Sequence, residues 1–320
     1  MNKMKVLNQN LSIITSVVPK KSKIIYLDYP LHLNVGDLLI LKGAEKFFSN
    51  MEYNVVARYS DLGSHRFFHD YKKVPDDVII VLHGGGNFGD LYPAHQKLRE
   101  RVIENYPGNK IIILPQTVHF SNKESMIASS QIFEKHNNLH IFCRDERSFN
   151  LLSSYFSKKT YLCPDMAHSL YDSFPKQSIS NVSNETLWML RKDIEISEIP
   201  TKLVTMPEEI IAEDWEDICT AIDRAILKIC HHGELLNNKF KINFIPVNAI
   251  WYGYTNRLVK RMNEYFMMHG EIVTSRMHGH ILACLLGMKT KLIDNSYGKN
   301  SGYYNAWTKD VDGCEIANEK

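Results

Sequence analysis

Strand-length apolar runs that alternate with amphipathic helical stretches predict an α/β fold made of two Rossmann-like domains. Three observations carry this. The alternation itself requires parallel strand pairing with helices on both sheet faces. Gly, Asn, Asp and His residues fall directly after strand ends, where doubly wound sheets bind ligands. A polar, proline-containing break, placed at 176–184, is followed by a second alternation, giving an N-terminal domain over 1–175 and a C-terminal domain over 185–320.

In the first domain, Ile24–Leu27, Val55–Ala57, Val78–Leu82, Lys110–Leu114, Leu139–Cys143 and Tyr161–Cys163 read as strands. The intervening helices are expected at Asp37–Met51, Tyr92–Tyr106, Lys123–His136 and Glu146–Phe156; in the first of these Leu38, Leu41, Ala44, Phe47 and Phe48 share a face. Leu11–Val18 reads as a short first helix, without the cleavage pattern of a signal peptide. In the second domain, strands are expected at Thr186–Leu190, Lys241–Pro246, Glu271–Thr274 and Lys291–Ile293. Helices are expected at Trp215–Leu236, Thr255–Met268 and Gly279–Leu286, and Ile194–Glu213 is a poorly patterned loop.

Bulk properties narrow the function classes. A 320-residue chain with 44% hydrophobic and 23% charged residues is an ordinary globular protein. The net charge of +2 argues against a nucleic-acid binder, and the short run Lys20-Lys21-Ser22-Lys23 reads as a solvated edge. Six cysteines without a C-x-x-C pair, several of them in apolar runs, point to buried reduced thiols and a cytoplasmic location. No run approaches the roughly 18–20 apolar residues that span a bilayer.

The stretch Thr274–Leu285 is the most informative. It puts Arg276, His278 and His280 at or before a helix N-terminus, where free N–H groups and the dipole favour an anion. Arg offers a planar fork for carboxylate or phosphate, and His transfers a proton near neutral pH. Asn34-Val35-Gly36-Asp37 opens the first long helix; Asp37 serves either as its cap or as a cleft-facing base for a hydroxyl. His83-Gly84-Gly85-Gly86-Asn87-Phe88-Gly89-Asp90 matches no nucleotide-triphosphate loop. Its fit to G-x-G-x-x-G is spoiled by the bulky Asn87 and Phe88, leaving a tight turn or a substrate-lining loop. Asp165 and His168 are three apart after a strand, so that either the carboxylate orients the imidazole, if the segment is helical, or Asp165 is a cap followed by a core-facing His168. His83, His95 and His119 stand singly, with His83 abutting the glycine loop. No metal-ligand spacing emerges.

Taken in order, Asn34–Asp37, His83–Asp90, Leu114-Pro115-Gln116-Thr117, Cys163–His168, Ser275–His280 and Asp294–Asn300 resemble the polysaccharide pyruvyltransferase family, nearest its bacterial exopolysaccharide and capsule branch. The resemblance runs from about Ile24 to Trp307. It implies a GT-B-like arrangement with the active site in the interdomain cleft, and pyruvyl transfer from phosphoenolpyruvate to two sugar hydroxyls, giving a cyclic ketal and phosphate, with no cofactor. The implied acceptor is a polysaccharide or lipid-linked oligosaccharide precursor, with peripheral contact to the inner membrane face or to the assembly machinery. In that scheme His278 is the general acid, Arg191, Arg276 and His280 bind the donor, and Asp37 acts on a hydroxyl. Asn34, Gly36, Gly84, Gly85, Gly86, Asn87, Asp90, Asp165 and His168 line the substrate site. The competing readings are a nucleotide-sugar glycosyltransferase of the same architecture and a non-catalytic component of polysaccharide assembly.

Overall fold

The computed structural model describes residues 2–177, 184–193 and 211–317, so most of the expected linker and of the loop 194–213 lies outside the described residues. Strands β1 (Lys23–Tyr29), β2 (Asn54–Ser60), β3 (Val78–Leu82), β4 (Gly85–Gly89), β5 (Ile111–His119), β6 (Leu139–Cys143) and β7 (Thr160–Leu162) form one sheet. Its order is β2-β1-β3-β5-β6-β7, with β4 added on the far half of β5. Strands β8 (Thr186–Met189), β9 (Glu271–Thr274), β10 (Lys289–Ile293) and β11 (Cys314–Ala317) form a second sheet in the order β11-β10-β9-β8. Every pair is parallel, as the alternation requires.

The helices are α1 (Lys3–Asn10), α2 (Val35–Asn50), α3 (Ser64–Asp70), α4 (Pro93–Asn105), α5 (Lys123–Phe133), α6 (Glu146–Tyr155), α7 (Trp215–Ile218), α8 (Ala221–Phe240), α9 (Val247–Met267), α10 (Met277–Leu286) and α11 (Lys299–Tyr303). Apolar side chains alternate across the first sheet. Ile24 and Tyr26 join the core shared with α2, α9 and α10, whereas Ile25 and Leu27 face the core under α4 to α6. Helices α9 and α10, from the second half of the chain, pack on α2 from the first. The approach of α10 depends on Gly36, where a methyl group would lie 2.9 Å from His278 Cβ.

Several expectations need correction. Lys241–Pro246 is not a strand. Lys241 ends α8 in the left-handed conformation, and the Asn237 carboxamide bonds both Ile245 O and Ile245 N–H, taking backbone groups that a neighbouring strand would have needed. The expected helix Trp215–Leu236 is broken after Ile218 by the capping box of Thr220 and Asp223, and resumes to Phe240. Helix α9 starts at Val247 rather than Thr255. The glycine run does not stay a loop, because Gly85–Gly89 pairs with β5; Gly85 and Gly89, at φ 126° and 127°, supply backbone angles that other residues avoid. The first helix begins at Lys3, and Leu11–Ser16 is a 3-10 turn following it.

Candidate functional site

A cavity of about 360 Å³ opens where the C-terminal ends of β1 and β3 meet the first turns of α2 and α10. Asn34 caps α2 by accepting from Gly36 N–H, so the capping role considered for Asp37 falls to its neighbour, leaving Asp37 in the first turn facing the cavity. Arg276 precedes α10, and His278 sits one residue into its first turn. Two helix N-termini thus converge on one space, which favours negative charge there.

One wall carries the acid–base and cationic groups. His278 Nε2 lies 3.2 Å from Asp165 Oδ2 and 3.5 Å from Arg144 Nη1, and Arg144 is ion-paired with the same carboxylate. Burial opposes the charge on Asp165. The opposing charges of His278 and Arg144, with hydrogen bonds from His278 and Ala167 N–H, overcome it and hold the carboxyl well below its ordinary range. Arg144 is fully buried, and its Nη2 has no hydrogen-bond partner among the described residues. A methyl built on Gly86 would lie 3.3 Å from that nitrogen and 2.5 Å from Lys299 Nζ. The missing side chain therefore leaves a space on which two cations converge.

The opposite wall is made from strand ends of the first sheet. His83, 2% exposed, is pushed down to about 4 by burial, against the pull of Asp28, Asp37 and Asp165, and is neutral at pH 7. Burial keeps the proton on Tyr26, whose hydroxyl lies 2.5 Å from His83 Nδ1. Tyr26 is thus the donor, and the unpartnered Nε2–H of His83 is left for the cavity that this residue lines. Asp28, a non-glycine residue at φ 67°, lies 2.7 Å from His95 Nδ1 and 3.6 Å from Arg99. Burial disfavours charge on both members of the Asp28–His95 pair. Their mutual attraction prevails, lowering the pKa of Asp28 and raising that of His95. Asp37 is also lowered, burial being outweighed by His32, His278, His83 and Lys299; this keeps it a carboxylate and makes it a weak base.

Of the residues singled out from sequence, Asn34, Asp37, Gly84, Gly86, Asn87, Arg191, Arg276 and His278 line this cavity. Gly85 stands behind Asp37, and Gly36 provides the contact with α10. Asn87 is held by Arg99 and Gln116 through its carboxamide oxygen. The two arginines are not bare cations. Arg191 makes a two-point ion pair with Asp193, and Arg276 is gripped by Asp193 and Asp214, a cluster of two positive and two negative charges. The ion pair of Arg191 with Asp193 at the strand end is therefore present beside any ligand role.

Three expected site residues sit elsewhere. His280 is buried between the Thr290 and Thr308 hydroxyls, one helical turn below the cavity floor. Asp90 caps the next loop through Ser121 and Asn122 N–H. His168 bonds Tyr303 rather than Asp165, because Asp165 caps the 3-10 turn Met166–Leu170 and turns its other oxygen to Arg144 and His278. The carboxylate does orient an imidazole, but one that lies 113 residues away. Cavity-lining residues to which the sequence gives no site role include Arg144, Lys299, Asp28, His32, Trp215 and His95, joined by His83, which abuts the glycine loop. Position just past a strand was the available signal for Asp28, His83 and Arg144. His119 packs on Tyr297 with ring centroids 4.3 Å apart and does not line the cavity. Among the described residues, His280, Cys284 and Cys314 could hold a metal ion, their ligand atoms lying within 4.8 Å of one another; the group is buried, and both His280 nitrogens already face threonine hydroxyls.

Comparison with known proteins agrees with the arrangement of these motifs. The family model for polysaccharide pyruvyl transferase matches residues 34–297. A Bacillus subtilis protein provisionally named pyruvyl transferase EpsO is 40% identical over 97% of this chain and 93% of its own. Pyruvyl transferase 1 of Schizosaccharomyces pombe is 26% identical over 92% of this chain and 71% of its own. The crystal structure of a functionally uncharacterised protein from Klebsiella pneumoniae matches all of both chains with a TM-score of 0.63 at 20% identity, a likeness of fold.

Proposed function

Because the chain belongs to the polysaccharide pyruvyl transferase family and is a transferase, we propose that it moves the pyruvyl group of phosphoenolpyruvate onto two hydroxyls of one sugar in an exopolysaccharide or capsule precursor, forming a cyclic ketal and releasing phosphate. We assign the two sheets to two domains in a GT-B-like arrangement, with this cavity as the cleft between them. The observation that carries the reading is the convergence of Arg144 Nη2 and Lys299 Nζ on the space above Gly86, with His278 Nε2 3.5 Å from Arg144 Nη1. Such a site suits a small polyanion that must be protonated to react.

In this scheme the donor's phosphate and carboxylate lie between Arg144, Lys299 and the N-terminus of α10, with charge-assisted hydrogen bonds setting its orientation. His278, steadied by Asp165, gives its proton to the methylene carbon, and the adjacent carbon becomes an oxocarbenium centre. A sugar hydroxyl attacks that centre and gives up its proton. The carbon–oxygen bond to phosphate then breaks, the phosphate leaving with the proton of the first hydroxyl; the second hydroxyl closes the ring and its proton returns to His278. Asp37, His83 and the Asp28–His95 pair face the sugar. The neutral His83 N–H and the Asp37 carboxylate hold hydroxyls, and the Asp28–His95 pair adds polar contacts at that wall. Arg191 and Arg276, already neutralised by Asp193 and Asp214, order the rim on the donor side.

The test is phosphate release from phosphoenolpyruvate with lipid-linked oligosaccharides as acceptors, run beside nucleotide release from nucleotide sugars. Phosphate release dependent on acceptor supports pyruvyl transfer. Nucleotide release makes the protein a glycosyltransferase, and sugar binding without either makes it a non-catalytic component.

A further inference from the structure

Helix α8 turns to solvent an apolar stripe that is unpartnered among the described residues. Ile222, Ile229, Leu236 and Phe240 follow one another at spacings of seven, seven and four residues, so they align along the helix. The stripe continues over the turn into α9 with Ile242 and Phe244; Ile222 is 68%, Phe240 61% and Phe244 81% exposed. Along α8 and the turn after it the exposed charges are basic, the exposed acids Glu216 and Asp217 lying before the helix. Between Ala221 and Arg257 the acidic residues are Asp223 and Glu234, both buried, whereas Arg224, Lys228, Lys239, Lys241 and Arg257 are exposed. Beside the tip, a cavity of about 330 Å³ is lined by His65, Arg66, His69, Arg101, Asn238 and Lys241, with no acidic lining residue among those described.

We propose that this face, the exposed side of α8 with the turn Phe240–Phe244, docks on the surface of an anionic lipid bilayer. Apolar side chains at a basic surface match the acyl boundary and the anionic headgroups of such a membrane. No described helix is long and apolar enough to cross a membrane, so the contact lies in the interface plane. A second copy of the chain suits the face less well, because a two-fold interface would set Lys239 and Lys241 against their own equivalents. Position adds a reason. His231 of α8 lies 2.7 Å from Leu31 O and Trp251 of α9 donates to Pro30 O, fixing the segment whose Pro30, His32 and Leu33 line the cavity. The docked face therefore holds the site close to the bilayer, which suits an acceptor sugar on a lipid carrier. That last clause rests on the pyruvyl-transfer reading; the docking does not.

The experiment is co-sedimentation of the full chain with phosphatidylcholine vesicles, with and without phosphatidylglycerol, at low and high salt. The intact protein should sediment with phosphatidylglycerol vesicles at low salt and leave them at high salt. Phe240→Ser with Phe244→Ser, and separately Lys228→Glu with Lys239→Glu and Lys241→Glu, should each reduce partitioning by roughly tenfold or more. All these positions are exposed, so an unchanged circular dichroism spectrum and melting temperature verify the fold. Failure of the intact protein to sediment, or variants that partition as it does, would overturn the proposal. So would concentration-dependent self-association that the Phe pair abolishes without any vesicle binding, which assigns the face to a second copy. Phosphate release with a soluble acceptor, measured on the same variants, separates loss of docking from failure of the catalytic reading.

Discussion

His278 Nε2 stands 3.2 Å from Asp165 Oδ2, and that same carboxylate is the ion-pair partner of Arg144. One buried anion thus steadies a guanidinium and an imidazole, and the imidazole lines the cavity. Asp165→Asn should lower turnover by roughly 10²-fold or more, since the imidazole loses the carboxylate that orients it. It should also leave the buried Arg144 uncompensated, at a cost of about 3–5 kcal/mol. Phosphate release and a denaturant melt measure the two effects. A variant of ordinary stability and rate would remove Asp165 from both roles.

His278→Gln keeps a hydrogen-bond donor at the same place and cannot deliver a proton. Donor affinity by calorimetry should be little changed, while phosphate release falls by roughly 10²–10⁴-fold. If the variant fails only by losing the donor, His278 is a binding residue and the acid lies elsewhere.

The donor subsite is tested by three substitutions with different expected sizes. Gly86→Ala is permitted by the backbone, since Gly86 is not among the positive-φ residues, but its methyl would press on Lys299 Nζ at 2.5 Å. Losing one charge-assisted hydrogen bond should raise the KM for phosphoenolpyruvate roughly 10- to 100-fold with the fold intact. Arg144→Lys keeps the charge and loses the planar fork, and should cost at least as much. Arg276→Lys, in a cluster that Asp193 and Asp214 already neutralise, should cost less than Arg144→Lys. The reverse ranking would move the donor to Arg191 and Arg276.

Much of this was legible because parallel α/β sheets write themselves locally. The apolar runs mark strands and their ends mark the ligand side, where Asp37, Arg276 and His278 stand, while Asn34, Gly86 and Asn87 came from the family resemblance; all six line the cavity. What could not be read was partnership. The Asp165 carboxylate was matched to His168 by spacing, yet it joins Arg144 and His278 across 21 and 113 residues. Arg276 looked like a free cation because Asp214, 62 residues before it, gives no sign in sequence of reaching it. Lys241–Pro246 has the composition of a strand and became a turn because a single side chain, Asn237, satisfied its backbone.

Buried histidines predict the acid stability of the fold. Burial pushes His83, His140 and His168 down to about 4 and His280 down to about 3, against an ordinary value of about 6.5. The unfolded chain binds protons at these four sites as pH falls below about 6.5, whereas the folded chain does not until about pH 4, so stability falls across that window. Each group contributes on the order of 2–3 kcal/mol over it. His95 acts in the opposite sense: its pKa is raised, so its contribution is present below about 6.5 and lost as pH rises through the folded value. The lowered carboxyls Asp28, Asp37 and Asp165 add stability above about pH 4 and lose it only below, outside the histidine window. Melting temperature should therefore drop steeply between about pH 6.5 and 4, with proton uptake on unfolding measurable by calorimetry in buffers of different ionisation enthalpy. His280→Gln, which can still bond Thr290 and Thr308, should flatten that slope; a melting curve unchanged across the window would contradict neutral burial of these rings.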